Sequence, residues 1–202
     1  KLAWKWAVAG MLTQLDREDP EIWNALGDAY QGGRGVELDL AQAEMWLRKA
    51  AEAGHVRSMT KLGKLLSRDE RTPEEVSESV VWFLKAAELG NPFGMTSVGF
   101  AYREGRGVTV DERKAVDGFI KAYKAGSYHA SELAGRLLSY RSENHQEAVK
   151  WLRIAVDHGY DGAYYNLALI HEDRGSPSCD TTEAFRCWCQ VAERLRGDLR
   201  FM

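Results

Sequence analysis

Gly27-Asp28-Ala29-Tyr30-Gln31-Gly32-Gly33-Arg34-Gly35-Val36 aligns position by position with Gly99-Phe100-Ala101-Tyr102-Arg103-Glu104-Gly105-Arg106-Gly107-Val108. The two stretches are two periods of 36 apart. Gly27, Gly63, Gly99 and Gly135 recur at that period, and so do Gly54, Gly90 and Gly126, and Ala50, Ala86 and Ala122. Trp46 and Trp82 share it. The next interval shortens to 33, giving Trp151, Ala155 and Gly159, and the last reads as 37, giving Trp188 and Ala192. A fixed period of this length is the signature of a repeat array, in which each unit buries its apolar face only by stacking on its neighbours.

Each unit reads as two helices. In the first, such as 21–31, Ile22, Leu26 and Tyr30 fall at i, i+4 and i+8 on one face. The cluster Gly32-Gly33-Arg34-Gly35 stops it, since glycine readily takes the left-handed conformation that ends a helix. The second helix, about 40–53, carries Ala43, Trp46, Leu47, Ala50 and Ala51 on one face, and Gly54 closes it. Gly27 and its counterparts sit inside a helix, where glycine costs about 1 kcal/mol against alanine. Repetition at that cost implies close approach of the partner helix; Ala168, at the fifth position, is still small.

The units are 21–55, 56–91, 92–127, 128–160 and 161–196. Residues 1–20 read as a partial N-terminal repeat or cap helix containing Trp4, Trp6, Ala7 and Met11, and 197–202 as a tail or the start of a further unit. Unit two replaces the glycine turn with Asp69 to Pro73, unit four with Arg141-Ser142-Glu143-Asn144, and unit five with Gly175-Ser176-Pro177-Ser178. No long Ser/Gly/Pro linker interrupts the chain, which reads as one continuous array. The fold class is all-α: a right-handed α-solenoid of about five antiparallel helix pairs plus the partial N-terminal unit.

Composition narrows the function. The 202 residues carry 27 Lys and Arg against 30 Asp and Glu, a net charge of −3, with 45% hydrophobic and 28% charged residues. That is the balance of a folded soluble chain. It argues against binding through nucleic-acid phosphates, and no apolar stretch is long enough to span a membrane. Three cysteines, all in the last quarter, do not make a disulfide framework. Residue 1 is lysine, which fits a chain cut from a longer protein or one that has lost a signal peptide. Localisation is not readable, and cytoplasm and periplasm both stay open.

The pattern resembles the Sel-one-like repeat family, relatives of the tetratricopeptide repeats. The residues that carry the resemblance are Leu26-Gly27-Asp28-Ala29-Tyr30, Gly33-Arg34-Gly35-Val36, the run Ala43 to Gly54, and Trp82-Phe83-Leu84-Lys85-Ala86-Ala87-Glu88-Leu89-Gly90. It covers about 21–196 and is strongest in units one to three. The resemblance implies a right-handed superhelix and an adaptor that holds another protein. Bacterial members serve as regulators, virulence factors or immunity proteins that neutralise secreted effectors. Some secreted members carry one disulfide per repeat, but here the first four units hold no cysteine.

Candidates for chemistry are few. The Gly-Arg-Gly turns follow helices, whereas a phosphate-binding glycine loop follows a strand and opens a helix. His55 and His158 read as surface turn residues. His171-Glu172-Asp173 is the densest ligand group, but adjacent helical residues diverge by about 100°, so no metal or cofactor is expected. Cys187 and Cys189 diverge on one helix and read as small buried residues, while Cys179 sits in a loop. Trp46, Trp82, Trp151 and Trp188 read as core, and Trp4, Trp6 and Trp23 as the N-terminal end. No nucleophile with a base in reach can be assembled.

In stacked helix pairs the first helices line the concave face. Its polar stripe reads as Asn24, Asp28 and Gln31, repeated as Thr60, Lys64 and Ser67; Thr96, Phe100 and Arg103; Glu132, Arg136 and Ser139; and Tyr165, Leu169 and Glu172. Phe100, Tyr165 and Leu169 are apolar where exposure is expected, and aromatics beside arginines are common interface anchors. A shift of one residue in the face assignment would turn these side chains into core. The expected function is a non-enzymatic scaffold binding a protein, with no nucleic-acid partner and no membrane insertion. An immunity or regulatory protein that sequesters a secreted effector is the specific form. The alternatives are a cell-envelope hydrolase or small-ligand-binding repeat protein, and an oligomeric structural role through the ends of the array.

Overall fold

The computed structural model describes residues 2–14 and 18–198, and every regular element among them is helical. Residue 1, residues 15–17 within the partial N-terminal unit read from the sequence, and the C-terminal stretch 199–202 lie outside the described residues. By contacts the chain divides into two compact units, 1–110 and 111–202, where the sequence reads as one array.

The first unit holds α1 (Leu2–Leu12), α2 (Pro20–Gly32), α3 (Leu40–Glu52), α4 (Val56–Leu66), α5 (Pro73–Glu88) and α6 (Pro92–Glu104). The second holds α7 (Glu112–Lys124), α8 (His129–Leu138), a 3-10 turn Ser142–Asn144, α9 (His145–Asp157), α10 (Ala163–Glu172) and α11 (Thr181–Asp198). Within each unit every helix packs on the next.

Local chemistry places the boundaries. Pro20, Pro73 and Pro92 open three first turns, where a missing N–H costs nothing. Asp39 accepts from Ala41 and Gln42 N–H, Asn91 from Gly94 N–H and Asp111 from Lys114 N–H. Thr72 and Glu75 form a reciprocal capping box on α5. Gly54, Gly90, Gly126 and Gly159, between second and first helices, have φ of 88°, 80°, 96° and 81°, a region other residues enter at a cost.

The glycines inside the first helices are there for space. A Cβ on Gly27 would lie 2.6 Å from Leu47 Cγ, on Gly63 2.7 Å from Phe83 Cε1, and on Gly135 2.7 Å from Leu152 Cγ. At these positions α2, α4 and α8 therefore touch their second helices backbone against side chain. Leu47, Met59, Leu62, Leu65 and Leu66 form one core with Trp82 and Ala86. Leu152, Ala155, Leu167, Ala168 and Ile170 form another.

One register needs correction. Asp39, Asp111, Asn144 and Asp180 each precede a second helix, and the residue four further on is a buried alanine: Ala43, Ala115, Ala148 and Ala184. The last interval is therefore 36 and not 37. Cys187 takes the position of Trp46 and Trp151, and Trp188 that of Leu47, Phe119 and Leu152. Trp188 is half-buried there and Ala192 exposed. Trp82 is buried; Trp46 and Trp151 are half-buried. On α1, Val8 is buried against Leu26 and Ala29, while Trp4 and Trp6 are exposed.

Candidate partner-binding face

In the first unit the stripe read from the sequence divides into residues that tie helices together and residues that face outward. Asn24 is 7% exposed, not solvated. Its Oδ1 accepts from Ser58 Oγ at 3.2 Å and from Lys61 Nζ at 2.8 Å, both on α4. Lys61 Nζ also pairs with Asp28 at 2.6 Å. Thr60 is buried as well, its hydroxyl donating to the Arg57 carbonyl. Gln31 is half-buried and Lys64 exposed. Thr96, half-buried, donates its hydroxyl to the Pro92 carbonyl at 2.9 Å. The Arg103 guanidinium stacks 4.7 Å from the Phe100 ring centroid, with both residues half-buried.

In the second unit Glu132 is largely covered, its side chain 16% exposed and 3.6 Å from His129 Nε2. Its Oε1 lies 2.7 Å from where a Cβ on Gly162 would be, at the start of α10. That helix has no side-chain cap of its own, and a carboxylate there meets the positive end of the helix dipole. Arg136 is half-buried. Tyr165 is 51% and Leu169 44% exposed. Glu172 accepts from Trp188 Nε1 at 2.7 Å, and Trp188 meets the Tyr165 ring edge-on at 5.5 Å between centroids. Arg136, Tyr140, Tyr165, Asn166, Leu169 and Asp173 line an open groove of about 860 Å³, with Glu132 and His145 also at its wall. Arg136, Tyr165 and Leu169, read from the sequence as one stripe, thus meet in one groove.

The structure also brings together a serine and a histidine, which the sequence did not suggest. His145 Nε2 lies 3.0 Å from the Ser139 carbonyl, which can only accept, so Nε2 carries the proton and Nδ1 takes the Ser176 hydroxyl at 2.7 Å. The Ser176 oxygen is buried and accepts from Ser178 N–H at 3.0 Å. A hydroxyl turned into its own loop has no access to a substrate carbonyl; the contact pins the loop before α11 to α9. His171 likewise holds this loop, its Nδ1 donating to the Ser178 carbonyl at 2.6 Å. His55 is not a plain surface residue: its Nδ1 caps α4 by accepting from Ser58 N–H. Among the described residues no group of three metal-ligating side chains converges, and no helix is long and apolar enough to cross a membrane.

The second helices of the first unit carry an ion network absent from the sequence reading. Arg48 pairs with Glu44 and Glu78, and Arg71 with Glu44 and Glu75. The hydrogen bond from Arg48 holds the Glu78 carboxyl below its ordinary pKa. Cys187 is buried, Cys189 half-buried and Cys179 exposed; burial raises the Cys187 thiol.

Tandem helix pairs whose first helices carry an open, amphipathic face define an α-solenoid repeat protein. The Sel1 repeat matches five times, over residues 24–55, 56–91, 92–127, 132–160 and 162–194, and the chain belongs to the Sel1 repeat family. A protective antigen of uropathogenic Escherichia coli with an SLR fold is 26% identical with a TM-score of 0.81, covering 95% of this chain and 42% of that one. The chain thus spans less than half the length of that antigen. A Sel1 repeat protein from Oxalobacter formigenes is 27% identical with a TM-score of 0.68, covering 95% of this chain and 79% of that one. An immunity protein from Pseudomonas aeruginosa shares the fold at 20% identity and a TM-score of 0.51, covering 94% and 74%. No curated protein is significantly similar in sequence.

Proposed function

We propose that the protein is a non-catalytic scaffold that binds one protein partner through the first-helix faces of its units. The observation that carries this is the groove of the second unit, where Tyr165 and Leu169 stand exposed beside Arg136. Exposed aromatic and aliphatic side chains next to a guanidinium are the usual anchors of a protein interface. The Sel1 repeats occupy residues 24–194 almost without a break, and repeat arrays of this kind serve as extended binding surfaces. The finer reading is sequestration of a single secreted effector. The Pseudomonas structure, linked to this chain by fold alone, is named an immunity protein, and neutralising an effector is what such a role would require.

The test is affinity capture with wild type beside a folded Tyr165→Ala, Arg136→Glu double variant, followed by assay of the captured protein's activity. One partner held by the wild type, lost by the variant, and inactivated at equal stoichiometry supports sequestration. One partner held without loss of activity supports an adaptor. Equal capture by both proteins rejects the groove.

A further inference from the structure

The outward face of α4 carries Arg57, Lys61 and Lys64, and Arg68 follows just past its end. At 100° per residue the first three fall within about 60° of one another. Ser58, Met59, Leu62, Leu65 and Leu66 fill the opposite, buried face. No carboxylate occurs from His55 to Arg68, in a chain whose net charge is −3. Arg57, Lys64 and Arg68 are exposed and make no ion pair among the described residues. Lys61 is the exception, tied to Asp28 on α2.

From this stripe we propose that the partner docks an acidic polypeptide segment along α4, a proposal that rests on the scaffold reading. The cations at 57, 61, 64 and 68 span about 16 Å at 1.5 Å per residue, the length of a few turns of a helix or a short strand. Carboxylates flank the stripe on two sides, Glu21 and Asp28 on α2 and Asp69 and Glu70 after Arg68; Glu21 meets His55, Asp28 pairs with Lys61 and Asp69 with Arg106. A short acidic segment meets only the cations. In a chain of net charge −3 a short run of cations suits a short acidic protein segment better than a long polyanion, whose affinity grows with the number of charges it meets. A helix bearing glutamates at i, i+4 and i+7 would match the spacing of Arg57, Lys61 and Lys64.

The test uses the full chain and a fluorescein-labelled synthetic helical peptide with glutamates at that spacing on an alanine background, read by anisotropy. The same peptide with glutamines and a short oligothymidylate are the comparison probes. The wild type binds the glutamate peptide, with affinity falling as salt rises. Arg57→Glu with Lys64→Glu weakens binding at least about tenfold, whereas Tyr165→Ala in the second unit leaves it unchanged. Should the charge-reversed pair melt below the wild type, Arg57→Gln with Lys64→Gln replaces it, again with binding reduced. Equal binding of the glutamine peptide, tighter binding of oligothymidylate, no loss in the charge variants, or no binding at all overturns the proposal. Because Tyr165→Ala and the peptide are read separately from partner capture, failure here leaves the scaffold reading standing, and failure of capture leaves this result interpretable.

Discussion

Replacing Gly135 by alanine destabilises the second unit, although alanine favours a helix by about 1 kcal/mol over glycine. A Cβ at that position lies 2.7 Å from Leu152 Cγ, 2.9 Å from Cδ2 and 3.0 Å from the backbone N of Leu152. Relaxed contacts between carbons lie near ~3.5–4.0 Å, so α9 must retreat by roughly 0.5–1 Å. Leu152 is fully buried, and a backbone nitrogen cannot rotate out of the way. Overpacking of a full core costs about 1–3 kcal/mol. With a backbone atom among the neighbours, a value in the upper half of that range leaves a net loss of about 1–2 kcal/mol after the helix gain. For a chain of 202 residues each kcal/mol moves the melting point by about 2–4 °C. Thermal unfolding of the full chain, followed by far-ultraviolet circular dichroism, reads the change. In a Leu152→Ala background the Cγ and Cδ2 contacts are gone, and the penalty of Gly135→Ala shrinks by at least about 0.5 kcal/mol. A Gly135→Ala protein that melts at or above wild type refutes the close-approach explanation of the helix glycines.

Three further outcomes follow from the same contacts. Asn24→Ala removes the buried acceptor of Ser58 and Lys61 and lowers stability by about 1–3 kcal/mol in a urea melt, whereas Lys64→Ala on the outward face leaves it unchanged. The Thr72 backbone N–H and the Arg71 side chain hold the Glu75 carboxyl below its ordinary pKa. Its contribution is therefore full above the ordinary carboxylate range and is lost as the pH falls through the lower folded value; Glu75→Gln flattens that acid limb of the stability curve, measured by melting across pH. Iodoacetamide at neutral pH labels exposed Cys179 first and half-buried Cys189 more slowly, while Cys187 reacts only on unfolding, as read by peptide mass spectrometry.

The repeat and its helix pairs were legible because the demands behind them are local. A left-handed turn needs glycine at Gly54 and Gly90, and a close helix approach needs it at Gly27, Gly63 and Gly135. The orientation of each first helix about its own axis was less legible. A polar residue on a helix flank can face water or a neighbouring helix, and period alone does not distinguish the two. Asn24 looked solvated and is buried because α4 supplies Ser58 and Lys61 to meet its oxygen. Glu132 stands at the wall of the groove and also covers the start of α10, a second role that the stripe did not show. Tyr165 and Leu169 were read as exposed from the same stripe, and they are exposed.

Other features depended on pairings far apart in sequence. The contacts of His145 with Ser176 and of Arg48 with Glu78 join residues 31 and 30 positions apart, beyond the reach of a pattern argument. Trp188 misled the alignment of the last unit because a conspicuous tryptophan outweighed the inconspicuous marker, the buried alanine four residues after the cap, Ala184. The cation stripe on α4 did leave a signal, a run from His55 to Arg68 with four basic residues and no acidic one. It is visible only once charge is mapped onto the helix face and not summed over the chain.

The most direct test of the account is hydrogen–deuterium exchange on the protein alone and in complex with its captured partner. Binding through the first-helix faces slows exchange in α2, α4, α6, α8 and α10 and leaves α3, α5, α7 and α9 unchanged. Protection confined to the second helices, or to the exposed ends at α1 and α11, would contradict it.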